Sequence, residues 1–153
     1  MGDVEREQAA LEVWLAARIA AGEEPGPLRV ARVRDKLTDP AGHLEVAERD
    51  GAVVGMALAE PFREHDGSGA VRPLWGHISM VFVRPDSQGT GVGTELLRGL
   101  VSGGPWTHLS VWTRESNRPA RRLYQGCGFV LTGESGTIRG GEVIQRWERS
   151  GDA

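Results

Sequence analysis

The sequence predicts an α/β fold: two helices, then a central sheet interleaved with two more helices. Three observations carry that expectation. Apolar residues recur at helical spacing over roughly the first forty positions and at alternate positions through much of the remaining chain. Glycine or proline punctuates most changes of period. Within Val83–Leu97, "VRPDSQGTGVGTELL", a strand-like run, three alternate glycines (Gly89, Gly91, Gly93) and a helix-like run stand in succession.

Leu11, Trp14, Leu15 and Ile19 share helical spacing and predict a first helix over residues 5–21. Glu23 to Pro27 interrupts it, and Val30, Val33 and Leu37 predict a second, short helix before Asp39-Pro40. "HLEVAERDGAVVGMALAE" then reads as a hairpin. Leu44 and Val46 alternate before the Asp50-Gly51 turn, and Val54, Met56 and Leu58 alternate after it. A polar loop, "PFREHDGSGAVRP", leads to a strand at Leu74–Val83 that Arg84-Pro85 ends. After the glycines, Val92, Leu96, Leu97 and Leu100 line a helix that stops at Gly103-Gly104. "THLSVWT" predicts a strand. Asn117-Arg118-Pro119 predicts a capped helix start, with Asn as cap and Pro in the first turn. "GFVLT" and "VIQRWE" close the chain as strands. No linker divides it, so one domain over residues 1–153 is expected, a helical start at about 4–38 and a core at about 43–148.

A net charge of −3 offers no electrostatic footprint for nucleic acid or an anionic membrane surface. No run has the length of a transmembrane helix, and MGDVEREQAA lacks the pattern of a signal peptide. Cys127 is the one cysteine, so no internal disulfide forms, and the chain fits a reducing cytoplasm. The four histidines are scattered and no Cys/His cluster has zinc spacing, so no metal is expected.

The glycine loop bears on a phosphate. A nucleoside triphosphate loop needs Gly-Lys before Ser or Thr, and here Thr94 follows Gly93 directly. A dinucleotide fingerprint needs a third glycine where Thr94 or Leu96 stands. What remains is Gln88-Gly89-Thr90-Gly91-Val92-Gly93 ahead of a helix. Its glycines let the backbone approach an anion that the helix N-terminus attracts.

That hexapeptide resembles the pyrophosphate loop of the GNAT superfamily of N-acetyltransferases, which bind acetyl-coenzyme A (acetyl-CoA). Two further stretches are similar. "VAERDGAVVGMAL" looks like the family's hairpin. "ESNRPARRLYQGCGFVLTG" looks like its late motif, with Asn117, Tyr124, Gly128 and Phe129 at the matching intervals. The resemblance covers roughly residues 43–148. It implies a mixed, mostly antiparallel sheet flanked by about four helices. The family opens with a short strand, whereas this chain enters helix by about Asp3–Arg6, so that strand is expected to be missing here or to lie upstream of Met1.

The resemblance also implies roles. The backbones of Val81, Phe82 and Val83 would hold the pantetheine arm and the acetyl carbonyl. Gln88 to Thr94 would hold the pyrophosphate, and Asn117 the pantetheine arm as well as its own helix. Tyr124, the only tyrosine, would give a proton to the departing sulfur. Several relatives carry a carboxylate base eleven residues before the loop's first residue; His77 stands there, and Trp112 occupies the family's other base position. A histidine suits proton abstraction near neutral pH, and the alternatives are a strand histidine with both nitrogens satisfied and a water chain. Cys127 lacks a neighbouring histidine and reads as a small buried residue, so direct attack in a ternary complex is expected.

The acceptor is expected to be a primary amine of a small molecule or peptide. Glu23, Glu24, Glu64 and Asp66 are in loops expected to overhang the acceptor side, where they would attract a cationic amine or simply form a charged solvated loop; Trp75 and Trp112 would wall a pocket or pack in the core. An α-amine needs less help to deprotonate than a lysine. The alternative function is a catalytically weak module that binds coenzyme A as a sensor. The closing strands near 129–148 offer an edge at which a second copy could pair as a homodimer.

Overall fold

The structure is a computed structural model, and it describes residues 1–64 and 66–151. His65, within the expected polar loop, and Asp152–Ala153 lie outside the described residues.

Helix α1 (Asp3–Ala20) buries Ala10, Leu11, Val13 and Trp14. Asp3 and Glu5 in its first turn and Arg18 in its last suit the helix dipole. It ends on Gly22 at φ +80, where Gly22 N–H reaches Ile19 C=O and Glu23 N–H reaches Arg18 C=O. Helix α2 (Pro27–Thr38) begins on proline, whose missing N–H costs nothing in a first turn, and buries Val33 and Leu37.

Strands β1 (His43–Arg49) and β2 (Ala52–Arg63) form the hairpin. Its turn residues Asp50 and Gly51 both have positive φ, at 52 and 80, as a two-residue type I′ turn requires. β3 (Val71–Val83), α3 (Val92–Gly103), β4 (His108–Arg114), α4 (Arg118–Gly126), β5 (Val130–Thr137) and β6 (Val143–Ser150) complete the order. The sheet order is β1-β2-β3-β4-β6-β5, antiparallel throughout except for the β3/β4 pair. Strand β5 forms one edge of the sheet, with Val130 and Leu131 exposed.

Two apolar layers sandwich the sheet. On one face α1 and α2 pack over Met56, Leu58 and Met80. On the other, α3 and α4 pack over Ala57, Ala59, Ile78, Val111 and Trp147. The alternation expected for Val54, Met56 and Leu58 fails at Val54. The register slips from Ala47↔Gly55 to Glu48↔Val53, which leaves Val54 unpaired and turns it into the α3 layer. A bulge inserts one residue and reverses every side chain beyond it.

The expected loop of residues 61–73 is shorter than its sequence suggests, because β2 runs to Arg63 and β3 begins at Val71. The pairing there is irregular, jumping from Pro61↔Gly76 to Arg63↔Val71, and Leu74 takes φ +67 inside the slip. The N–H of Thr107 donates to Leu74 C=O at 3.0 Å and holds this kink in place.

The α3 layer approaches β2 at Gly55. A Cβ there would lie 2.5 Å from Val92 Cγ1 and 3.0 Å from Leu96 Cδ1, and both side chains are 1% exposed. Gly55→Ala is therefore expected to destabilise the fold by about 1–3 kcal/mol through overpacking. For a chain of this length that is a fall in Tm on the order of 2–12 °C by thermal denaturation. Unchanged Tm would mean that α3 moves freely over the sheet.

Candidate active site

Four rungs join the parallel strands β3 and β4, from Trp75↔His108 to Ile78↔Val111. Beyond Ile78, β3 continues to Val83 and β4 to Arg114 without a rung between them. A bulge helps to part them, for Ala59 pairs with Ile78 and Leu58 with Met80, so Ser79 is left over. The separation leaves main-chain N–H and C=O groups of two strands facing a gap.

A cleft of about 460 Å³ opens beside this gap on the α3/α4 face. Val81 and Val83 line it from β3, while Phe82 turns its side chain into the opposite layer, against the α1 side. The loop supplies Gln88, Gly89, Gly91, Val92, Gly93 and Thr94. Thr90 is outside the lining and donates its hydroxyl to Ser87 C=O at 2.5 Å, pinning the loop from behind.

Gly89 and Gly91 have φ +77 and +83, and the space a Cβ would occupy at either is open. Gly91 is the N-cap of α3, and the helix's first bond runs from Glu95 N–H to Gly91 C=O. The N–H groups of Val92, Gly93 and Thr94 therefore have no acceptor within the helix. Glu95, the acidic residue of that turn, is paired with Arg49 at 3.2 Å. No residue lining the cleft carries a charge. An anion here would be met by backbone donors and the positive end of a helix dipole.

The cleft's other wall is α4. Asn117 Oδ1 accepts from Ala120 N–H at 3.2 Å and caps the helix, and Asn117, Ala120 and Tyr124 fall on one face at helical spacing. Tyr124 is 5% exposed and meets Phe129 edge-on with ring centroids 5.6 Å apart. Burial, with Cys127 a smaller cause, pushes its phenol well above the usual range, so the hydroxyl keeps its proton. The sequence reading missed four liners, Ser87, Pro119, Ala120 and Leu123. Ala120 was findable, since it sits between Asn117 and Tyr124 on the same helical stripe.

His77 does not join this group. It points to the α2 side of the sheet and lines a second cavity of about 290 Å³ with Asp39, Glu60, Phe62 and Arg63. It occupies the rung just before the strands part, opposite Ser110. Its Nδ1 lies 2.8 Å from Ser110 Oγ, and its ring meets Phe62 at 6.4 Å.

The carboxylates expected near the acceptor are engaged elsewhere or exposed. Glu23 pairs with Arg18, Glu64 makes a two-pronged pair with Arg72 at 2.6 and 2.8 Å, and Asp66 accepts from Ser68 N–H. Glu24 is exposed. Asp39 and Glu60 are the carboxylates that line the second cavity. Of the two tryptophans, Trp75 stacks on His108 at 4.7 Å, and Trp112 shares a rung with Arg146. Cys127 is half-buried, not buried as expected, because it caps the end of α4. Burial raises its thiol despite Arg98 and Arg149, which disfavours a thiolate nucleophile. Among the described residues no cluster could hold a metal ion and no helix is long and apolar enough to cross a membrane.

A family model described as "Acetyltransferase (GNAT) family" matches residues 9–129. The phosphinothricin N-acetyltransferase of Alcaligenes faecalis is 36% identical over 116 residues, 73% of this chain and 55% of that protein. A mycothiol acetyltransferase of Arthrobacter sp. is 32% identical over 131 residues, 78% of this chain and 39% of that one. The chain thus spans little more than half the length of the first and less than half of the second. Among solved structures, yncA of Salmonella typhimurium, determined with acetyl-CoA, superposes with a TM-score of 0.74 at 19% identity, covering 100% of this chain and 92% of that one. A GNAT-family acetyltransferase of Streptococcus pneumoniae superposes at 0.67 with 16% identity, over 96% and 95%. Those two likenesses concern the fold; with the family match over most of the chain and the parted β3/β4 pair beside the glycine loop, they make this chain a member of the GNAT acetyltransferase family.

Proposed function

We propose that the protein transfers an acetyl group from acetyl-CoA to a primary amine of a small molecule or peptide by direct attack in a ternary complex. One observation carries the reading: an uncharged cleft joins three free helix-start amides to the gap between β3 and β4, with a buried, protonated tyrosine on its wall. The loop amides would take the pyrophosphate and the β3 backbone at Val81–Val83 the pantetheine arm and the acetyl carbonyl, with Asn117 alongside.

In the transfer, the amine nitrogen bonds to the thioester carbon while the carbon–sulfur bond breaks. The nitrogen sheds one proton, and the departing sulfur accepts one from Tyr124. The backbone donors of β3 would stabilise the carbonyl oxygen as it gains charge. The acceptor would enter from the α2 side, through the cavity that Asp39, Glu60, Arg63 and His77 line.

Release of free coenzyme A thiol in the presence of a panel of amines and peptides tests the assignment. Thiol release that depends on the amine is the expected result. Tight coenzyme A binding without turnover on any amine would instead favour the sensor.

A further inference from the structure

We infer that Arg18, Arg29 and Arg114 form an anion site on the α2 side of the β3/β4 gap, and that the acceptor is an amine bearing a carboxylate within a few bonds. The inference rests on the reading above that the acceptor meets the acetyl group at this gap from the α2 side. The three arginines come from α1, α2 and β4.

Trp14 brings the first two together. Its side chain is buried in the layer that α1 and α2 form over the sheet. Arg18 stands one turn further along the same face of α1. Arg29 of α2 lies over the Trp14 ring, its Cζ 5.7 Å from the centroid. Arg114 joins them from the sheet. Leu109 and Val111 face the α3 layer, so Ser110, Trp112 and Arg114 alternate onto the α2 side. The last rung is Ile78↔Val111; Arg114 stands three residues past it on β4, and Val81 three past it on β3. Three strand residues span about 10 Å. Arg114 therefore stands across the gap from the backbone proposed to hold the acetyl carbonyl. Burial lowers the Arg18 guanidinium from its usual range, and Arg29 and then Arg114 lower it further, so both cations act on it.

The nearby carboxylates do not balance these charges. Glu23 pairs with Arg18 and Glu142 with Arg114 Nε at 3.3 Å, and both acids are exposed. Among the described residues Arg29 has the Trp14 ring as its partner and no carboxylate, and Glu24 of the neighbouring turn is bonded to none of the three. Like charges held together repel, and an incoming anion relieves that repulsion. That anion is not a coenzyme A phosphate, because the glycine loop lies on the opposite, α3/α4 face.

This narrows the acceptor. A guanidinium fork matches a carboxylate with two parallel N–H···O bonds. The fitting class is a free amino acid, whose carboxylate would take the arginine donors while its nitrogen faces the thioester. A peptide N-terminus places an uncharged amide there and fits less well.

Two measurements on the full chain with coenzyme A decide the matter. In side-chain ¹⁵N–¹H spectra, succinate should produce saturable shifts of the Nε–Hε signals of Arg18 and Arg29. Succinamide should not, and Arg29→Gln should abolish the response at Arg18. No shift, or equal shifts at Arg34, which is exposed elsewhere on α2, overturns the inference whether or not any amine is acetylated. Saturable shifts with no amine acetylated would support the anion site and sink the transfer reading, so the two fail separately. In thiol release with free amino acids and their carboxamides, the best acid should exceed its carboxamide in kcat/KM by about tenfold or more. Arg29→Gln should bring that ratio within about threefold, through KM. Carboxamides as good as the acids, or a ratio that Arg29→Gln leaves intact, sinks the carboxylate site.

Discussion

Tyr124→Phe is expected to lower kcat by about 10²- to 10⁴-fold, the range for a lost general acid, and to leave the KM for acetyl-CoA nearly unchanged. The substitution keeps the ring that packs edge-on against Phe129 and removes only the hydroxyl. The backbone that would grip the cofactor, at Val81–Val83 and Gln88–Thr94, is untouched. The pH dependence carries the sign. An acid works while protonated, so activity is lost as pH rises through its pKa. Burial raises the Tyr124 phenol above its usual value of about 10, which moves that loss upward. The kcat profile of the wild-type enzyme should therefore show no falling limb owed to Tyr124 up to about pH 10. A limb near pH 10 that vanishes in Tyr124→Phe would show the phenol to be unshifted. Unchanged kcat in the variant would remove the role altogether.

Gly91→Ala is expected to raise the KM for acetyl-CoA by about 5- to 30-fold, with Gly91→Val worse and kcat at saturation less affected. The left-handed conformation at φ +83 costs an L residue roughly 1–2 kcal/mol. The loop escapes that cost by relaxing and must recover it to bind the anion, so the strain is subtracted from affinity. Valine adds a branched Cβ in the open space where the anion is proposed to sit. Steady-state kinetics in acetyl-CoA, with Tm as the check on folding, separates the two effects. An unchanged KM would place the pyrophosphate away from this helix start.

Local features of the chain were readable because their causes are local. The Asp50-Gly51 turn, the Asn117 cap and the Gly91 helix start each depend on one residue's backbone preference or side chain. The cleft beside the glycine loop was legible for the same reason. Most of its liners sit within the seven-residue loop or on one stripe of α4, at spacings the sequence displays.

The misreadings arose where an element meets a distant one. Val54 alternates with Met56 in sequence, but a bulge against β1 sends it to the other layer. Residues 61–73 look polar and loop-like, yet both ends of the stretch are strand, beside the Leu74 kink that Thr107, far along the chain, holds in place. Glu60 and Asp39 reach the cavity beside His77 by the packing of α2 against β2, which no spacing announces.

The sequence by itself determined the α/β class, the glycine loop at the start of α3 and the tyrosine on the same cleft's wall, because glycine conformation, helix caps and helical spacing are short-range. Only the tertiary structure decided that His77 lies on the face opposite the cleft and in the hold of Ser110. That pairing depends on the β3/β4 register, which brings together two residues thirty-three positions apart. Register is set by the packing of whole layers and not by either residue alone.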